Sequence, residues 1–145
     1  MDQDTVVIEQ IDDGKRLIEA LEADGVDVGV ALWVKPTDEE NPFLYLASSI
    51  VDDKGPSAAY HRVLGILRTM PDLQIELLEI KVIGLRDSLA DAALKVVKPK
   101  VPAGKFAVQP SIPYRGMTRF GGTTLGGISI DWARIYPPSL PDAAV

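Results

Sequence analysis

The chain contains no cysteine and only one histidine, His61. Without cysteine it can form no disulfide, and it has neither a thiol nucleophile nor a thiolate ligand for a metal. A metal site would have to be built from carboxylates with at most one imidazole. His61 could act as the base of a serine hydrolase, but no serine stands in a G-x-S-x-G elbow. Helical spacing places His61 away from the apolar stripe, so we expect it to be exposed and to have no catalytic role.

Aromatic residues and long apolar runs are also scarce. Phe, Trp and Tyr make up 6% of the 145 residues, so the core must consist mainly of Val, Ile, Leu and Ala. No apolar run reaches the roughly 18 residues that span a bilayer, and the acidic start MDQDTVVIEQ lacks the basic and apolar parts of a secretory signal. We therefore expect a cytoplasmic chain with no membrane partner. It would form a single domain over residues 1–136, followed by an extended tail at 137–145.

Acidic residues are absent between Asp91 and Asp131. Residues 1–92 carry 8 basic and 19 acidic side chains, whereas residues 93–145 carry 7 basic and 2 acidic ones, and the net charge of the whole chain is −6. A basic segment can mark an anionic partner, or it can pack on the acidic part of the chain, within a subunit or between subunits. The acidic overall balance favours the second interpretation and argues against a nucleic-acid partner.

Two apolar stretches between Val26 and Val51 carry the clearest structural pattern. The first, VDVGVALWVK, alternates between two faces, and the second, PFLYLASSIV, follows the polar loop KPTDEEN. Two such stretches joined by a short polar loop predict an antiparallel hairpin. Similar patterns predict further strands at 72–84 and 120–136, apolar stripes predict helices at 5–23, 56–70 and 87–97, and prolines indicate irregular backbone from 99 to 118.

This order of elements predicts an α+β two-layer domain. About three helices would lie on one face of a mixed, largely antiparallel sheet of about five strands. Gly14 lies on the apolar stripe of the first helix, although glycine costs ~1 kcal/mol in a helix interior. Its presence indicates that this helix approaches the sheet closely, with a break in the helix as the alternative. We also expect Ile18 and Val63 to lie on the same side of the sheet.

The stretch VDDK places Asp52 and Lys54 one residue apart at the end of the predicted hairpin. Metal-dependent nucleases of the restriction-endonuclease type use an acidic residue, one spacer and a lysine, in which the carboxylate holds Mg²⁺ and the lysine steadies the attacking water or the phosphate. With Asp27 as the acidic partner, these residues would form a phosphodiester hydrolase if both carboxylates lie within about 5 Å of a common point. The alternative is a solvated connection before a helix.

The glycine-rich stretch GGTTLGG follows two arginines and could form an anion site. Glycine lets backbone amides converge on an anion, and arginine pairs with phosphate or carboxylate through two hydrogen bonds. The stretch matches no known phosphate-loop motif, so glycines of a hairpin or bulge are the alternative. The candidate ligand-binding residues are Arg115, Arg119, Gly121, Gly122, Thr123 and Thr124.

Four segments, GKRLIEALEADG, VALWV, VDDKGPSAAY and GGTTLGGISIDWARIY, resemble a group of short bacterial proteins with no assigned activity. The resemblance covers nearly the whole chain, implies a free-standing domain and assigns no catalytic residue. We therefore expect a non-enzymatic domain without a cofactor that binds itself, as a homodimer or larger homo-oligomer, or another protein. Exposed edges of the sheet are natural surfaces for such pairing.

Overall fold

The computed structural model describes residues 3–97, 118–120 and 122–136, and for residues 3–8 and 119 it describes the backbone alone. The predicted tail and almost all of the predicted irregular segment lie outside these residues. None of the described helices is both long enough and apolar enough to cross a membrane. The elements in these ranges are α1 (Gln3–Ala23), β1 (Val30–Pro36), β2 (Phe43–Ala47), α2 (Ser49–Lys54), α3 (Pro56–Arg68), a 3-10 turn (Leu77–Glu79), β3 (Ile80–Ile83), α4 (Ser88–Val97), β4 (Thr118–Phe120), β5 (Thr124–Leu125) and β6 (Ile128–Ile135).

The predicted hairpin is confirmed, but its second strand is shorter than expected. β1 and β2 pair antiparallel, with Val30 opposite Ala47. The chain then leaves the sheet, and Ser49–Lys54 forms a helix rather than the end of a strand. The Ser48 hydroxyl accepts a hydrogen bond from the Ile50 amide at 3.2 Å, which satisfies one of the free amides at the start of that helix.

The strands form a mixed sheet in the order β3-β2-β1-β6-β4, and β5 pairs with β6 outside this path. β2 and β3 run parallel, whereas every other described pair is antiparallel. The predicted α+β class and the mixed, largely antiparallel sheet are therefore confirmed.

The third predicted strand is confirmed only at its end. β3 spans Ile80–Ile83, and the residues before it form the 3-10 turn Leu77–Glu79. Side chains in such a turn do not alternate between two faces. Leu78 is consequently 84% exposed, whereas alternation along the predicted strand 72–84 would have placed it on the same face as the buried Ile80.

Helices pack on both faces of the sheet. α1 and α3 cover the first face, to which Trp33 of β1 points, and Ile18 and Val63 both lie on this side as predicted. α4 packs on the second face, to which Leu32 points. This placement of α4 differs from the expected single helical layer, because β1 buries every residue from Val30 to Val34 and so needs a cover on each side.

Each helical layer covers only part of its face. On the first face, side chains of α1 and α3 pack with those of β1, β2 and β3. On the second face, α4 contacts chiefly β1, β4, β5 and β6. Ala47 of β2 is buried together with side chains of α4, whereas Tyr45 of β2 and Ile83 of β3 pack against this cluster and stay half-buried.

Gly14 lies at a close contact between α1 and the sheet, as its position on the apolar stripe predicted. A Cβ atom at residue 14 would collide with the Tyr136 hydroxyl and would lie 3.2 Å from Trp33 Nε1. The indole N–H of Trp33 donates to Tyr136 Oη at 3.0 Å, and the Tyr136 O–H donates to the Ile11 carbonyl at 2.6 Å. Burial raises the pKa of Tyr136, against an opposing effect of the Trp33 hydrogen bond, so its phenol stays neutral and can donate.

Candidate functional site

Asp27 holds the start of α2. Its carboxylate accepts hydrogen bonds from Ser48 Oγ at 3.1 Å, from the Ser49 amide at 3.1 Å and from Ser49 Oγ at 2.7 Å. Partial burial raises the pKa of Asp27, but the hydrogen bonds from Ser49 and Ser48 together outweigh it and bring the pKa below its usual value. Asp27 is therefore a charged acceptor that fixes a helix end.

Asp52 fixes the other side of α2. Its carboxylate accepts a hydrogen bond from the Leu85 amide at 2.7 Å and packs against Gly84, so closely that a Cβ atom there would collide with it. Lys54 is exposed on the last turn of the same helix. The acid–spacer–lysine motif thus lies on the short helix α2, whereas the sequence pattern predicted it at the end of a strand.

These contacts give the hydrolase hypothesis no direct support. Asp27 and Asp52 bind different groups, the Ser48–Ser49 pair and the Leu85 amide. Among the described residues, no three His, Asp or Glu side chains form a group that could hold a metal ion. The Mg²⁺-dependent reaction therefore stays a prediction. His61 is exposed on α3, as its helical spacing predicted.

The glycine-rich stretch forms a tight hairpin. Leu125 of β5 pairs with Ile128 of β6, so Gly126 and Gly127 form a two-residue turn with φ angles of 58° and 89°. Positive φ at both central residues is typical of a type I′ turn. A Cβ at Gly126 would also collide with the backbone of Leu89, so this glycine lets the hairpin lie against the start of α4.

Only part of the predicted anion site can be located. Gly122, Thr123 and Thr124 are exposed, and the Thr123 carbonyl accepts a hydrogen bond from the Ile130 amide at 2.9 Å. Arg115, Gly121 and the side chain of Arg119 lie outside the described residues. The hairpin interpretation is confirmed by the turn, and anion binding stays a prediction.

The basic segment also stays largely beyond the described part of the chain. Of its cations, Lys95 pairs with Asp91 at 3.1 Å within α4 itself. Arg134 lies over the ring of Trp132, 5.4 Å from the centroid. The Lys95–Asp91 pair is a contact between neighbouring turns of one helix, so the predicted packing of the basic segment on the acidic part of the chain is untested.

The β3 edge of the sheet is partly closed. The amide of Val82 donates a hydrogen bond to the Tyr60 hydroxyl of α3 at 3.0 Å, instead of to a neighbouring strand. Capping an edge amide in this way removes one of the groups that an added strand would use. An exposed strand edge, which the sequence suggested as a pairing surface, is therefore a weaker candidate at β3.

Among the described residues, another candidate surface lies on the second face of the sheet, next to α4. It consists of four side chains, Phe43 and Tyr45 of β2 and Lys81 and Ile83 of β3, which we call the β2–β3 patch. Phe43, Tyr45 and Ile83 are half-buried, and Lys81 is exposed. The Lys81 ammonium lies 4.8 Å from the centre of the Phe43 ring, within the range of a cation–π contact.

Charges border this patch. Burial, and then the charges of Asp87, Tyr60 and Glu39, raise the pKa of Tyr45, so its hydroxyl stays a neutral donor. Glu39 lies in the loop before β2, and Asp87 lies after β3, where its carboxylate accepts a hydrogen bond from the Leu89 amide at 2.8 Å. Within the described part of the chain, no carboxylate pairs with Lys81.

Sequence reasoning did not single out this patch. Aromatic residues are rare in the chain, yet Phe43 and Tyr45 stand two apart on one strand and so share a face. Lys81 and Ile83 share a face of the next strand in the same way. That spacing was a signal, but the parallel pairing of Tyr45 with Lys81 could not be read from it.

Comparisons of the chain with protein-family models, curated proteins and solved structures found no match. The resemblance to short bacterial proteins therefore stays a prediction. Function has to be inferred from the geometry of the described residues.

Proposed function

We propose that this protein is a non-enzymatic, cytoplasmic binding domain and that a protein partner packs on the β2–β3 patch. The observation that carries the proposal is the half-buried state of Phe43, Tyr45 and Ile83 beside α4. Neighbouring apolar side chains of the same face are covered by that helix.

Burial of this patch would supply binding free energy. Removing apolar surface from water contributes about 25 cal/mol per Å². Aromatic side chains are enriched at protein interfaces, and a few buried anchors supply most of the affinity. Phe43 and Tyr45 are suited to this role because their strand holds them in fixed positions, so little conformational entropy is lost on binding.

The contacts of the carboxylates support a binding role over catalysis. Asp27 and Asp52 accept hydrogen bonds that position α2, and the low pKa of Asp27 suits an acceptor rather than a general acid. Both side chains therefore already have a structural role.

Site-specific photo-crosslinking in cells tests the proposal. We expect p-benzoylphenylalanine in place of Phe43 to form adducts with a protein, and the same group in place of Arg68, an exposed residue of α3, to form none. The adduct protein, identified by mass spectrometry and purified, should bind the wild-type chain and lose affinity for Tyr45→Lys. Circular dichroism checks that each variant is folded. Absence of adducts at residue 43, or equal adducts at both positions, would refute the proposal.

A further inference from the structure

We infer that the partner on the β2–β3 patch is a second copy of this chain, packed face to face about a twofold axis with Lys81 of each copy against a carboxylate of the other. This inference rests on the proposed function and names its partner. A twofold interface uses the same surface on both copies, so that surface must be complementary to itself.

The patch meets this requirement in charge. Lys81 is exposed on the edge strand β3, and its ammonium contacts the ring of Phe43. Carboxylates stand at both ends of the strands: Glu39 precedes Phe43, and Asp87 follows Ile83. The Lys81 ammonium lies by Phe43, near the start of β2. A twofold axis along the strands brings the same strand ends of the two copies together, so Lys81 meets Glu39 of the other copy. An axis across the strands brings opposite ends together, so Lys81 meets Asp87 of the other copy.

The patch also meets the requirement in polarity. Its three half-buried side chains are aromatic or aliphatic, and the one cation, on the edge strand β3, lies next to them. Each copy carries a net charge of −6, so two chains repel each other at long range. A lysine that meets a carboxylate of the other copy offsets part of that repulsion where the copies touch.

The face, rather than the edge, is the available surface on this side of the sheet. Tyr60 caps the Val82 amide, and Lys81 is a charged residue on the edge strand β3. Both features are ones by which proteins prevent edge-to-edge pairing of strands. A second copy is therefore expected to stack on the side chains of β2 and β3 rather than extend the sheet.

Sedimentation equilibrium of the full chain tests the inference with a matched pair of variants. We expect the wild type to have twice the chain mass at micromolar concentration. Lys81→Glu should weaken dimerisation by at least about tenfold, because juxtaposed like charges disfavour an interface strongly. Arg68→Glu makes the same charge change on exposed α3 and should leave the dimer unchanged. A monomeric wild type, or equal weakening by the two variants, would overturn the inference.

Charge exchange provides the second arm. Glu39→Lys and Asp87→Lys chains are each mixed with Lys81→Glu chains, and one of the two mixtures should recover a heterodimer. The mixture that recovers a heterodimer gives the direction of the axis. Recovery in neither mixture contradicts the inference.

The two proposals can fail separately. If the wild type is monomeric and residue 43 crosslinks a different protein, the inference of a second copy alone is overturned. If residue 43 forms no adduct, the proposed function is refuted.

Discussion

At the scale of single residues, the helix α1 is held to the sheet by Gly14, Trp33 and Tyr136. The position of Gly14 on the apolar stripe predicted the close approach. Its contact with Tyr136 could not be predicted, because the two residues are far apart in sequence and meet only in the fold. A pattern within one element shows which face is buried, but it carries no information on what that face meets.

Replacing Gly14 by alanine tests this contact. We expect Gly14→Ala to lower the free energy of unfolding by ~1–3 kcal/mol, because its Cβ must displace a tyrosine hydroxyl that is held by two hydrogen bonds. Gly65→Ala is the matched control: Gly65 lies in α3 with open space around it, so alanine should stabilise by roughly 0.5–1 kcal/mol. Urea unfolding measures both. A stabilising Gly14→Ala would show that α1 does not press on this network.

At the scale of elements, most helices and strands could be predicted, and the errors fall at their ends. The stretch after β2 contains Ile50 and Val51, which favour strands, so the strand predicted from the sequence continued through them. Ser48 and the carboxylate of Asp27 instead start a helix there. Asp27 lies more than twenty residues earlier, so this interaction depends on the folded hairpin and cannot be read locally.

The acid dependence of stability tests the role of Asp27 at this scale. Its pKa is lower in the folded chain than in the unfolded one, so its contribution is complete above the unfolded pKa of about 4 and is lost as the pH falls through the folded value. We expect Asp27→Asn to lower the free energy of unfolding at neutral pH and to reduce its decline on acidification. Asp53→Asn, at an exposed position of α2, is the control. An unchanged pH profile in Asp27→Asn would contradict the assignment.

At the scale of the whole molecule, the class of the fold could be predicted but the division of the helices between two faces could not. The alternation of β1 is apolar on both sides, and this was a sign that both faces are covered. Which half of each face a helix covers depends on where its connections leave the sheet. The β2–β3 patch arises from that placement, so no motif in the sequence marks it.

The structure assigns a structural role to some residues of the candidate sites that the sequence suggested, and it leaves the others untested. Asp27 and Asp52 turn out to anchor α2, and Gly126 and Gly127 form a hairpin turn. Short motifs made these residues stand out, although carboxylates and glycines also serve helix ends and turns. The surface that now carries the functional proposal consists of ordinary strand residues, and it became recognisable only when two strands were paired.

Hydroxyl-radical footprinting in cells tests the central claim, occupation of the β2–β3 patch, most directly. The oxidation rates of Phe43 and Tyr45 in cells are compared with those in the purified chain at high dilution, with Trp132, on the first face, as the internal reference. We predict severalfold protection of both residues in cells and an unchanged rate at Trp132. Equal rates for Phe43 and Tyr45 in the two samples would contradict the claim.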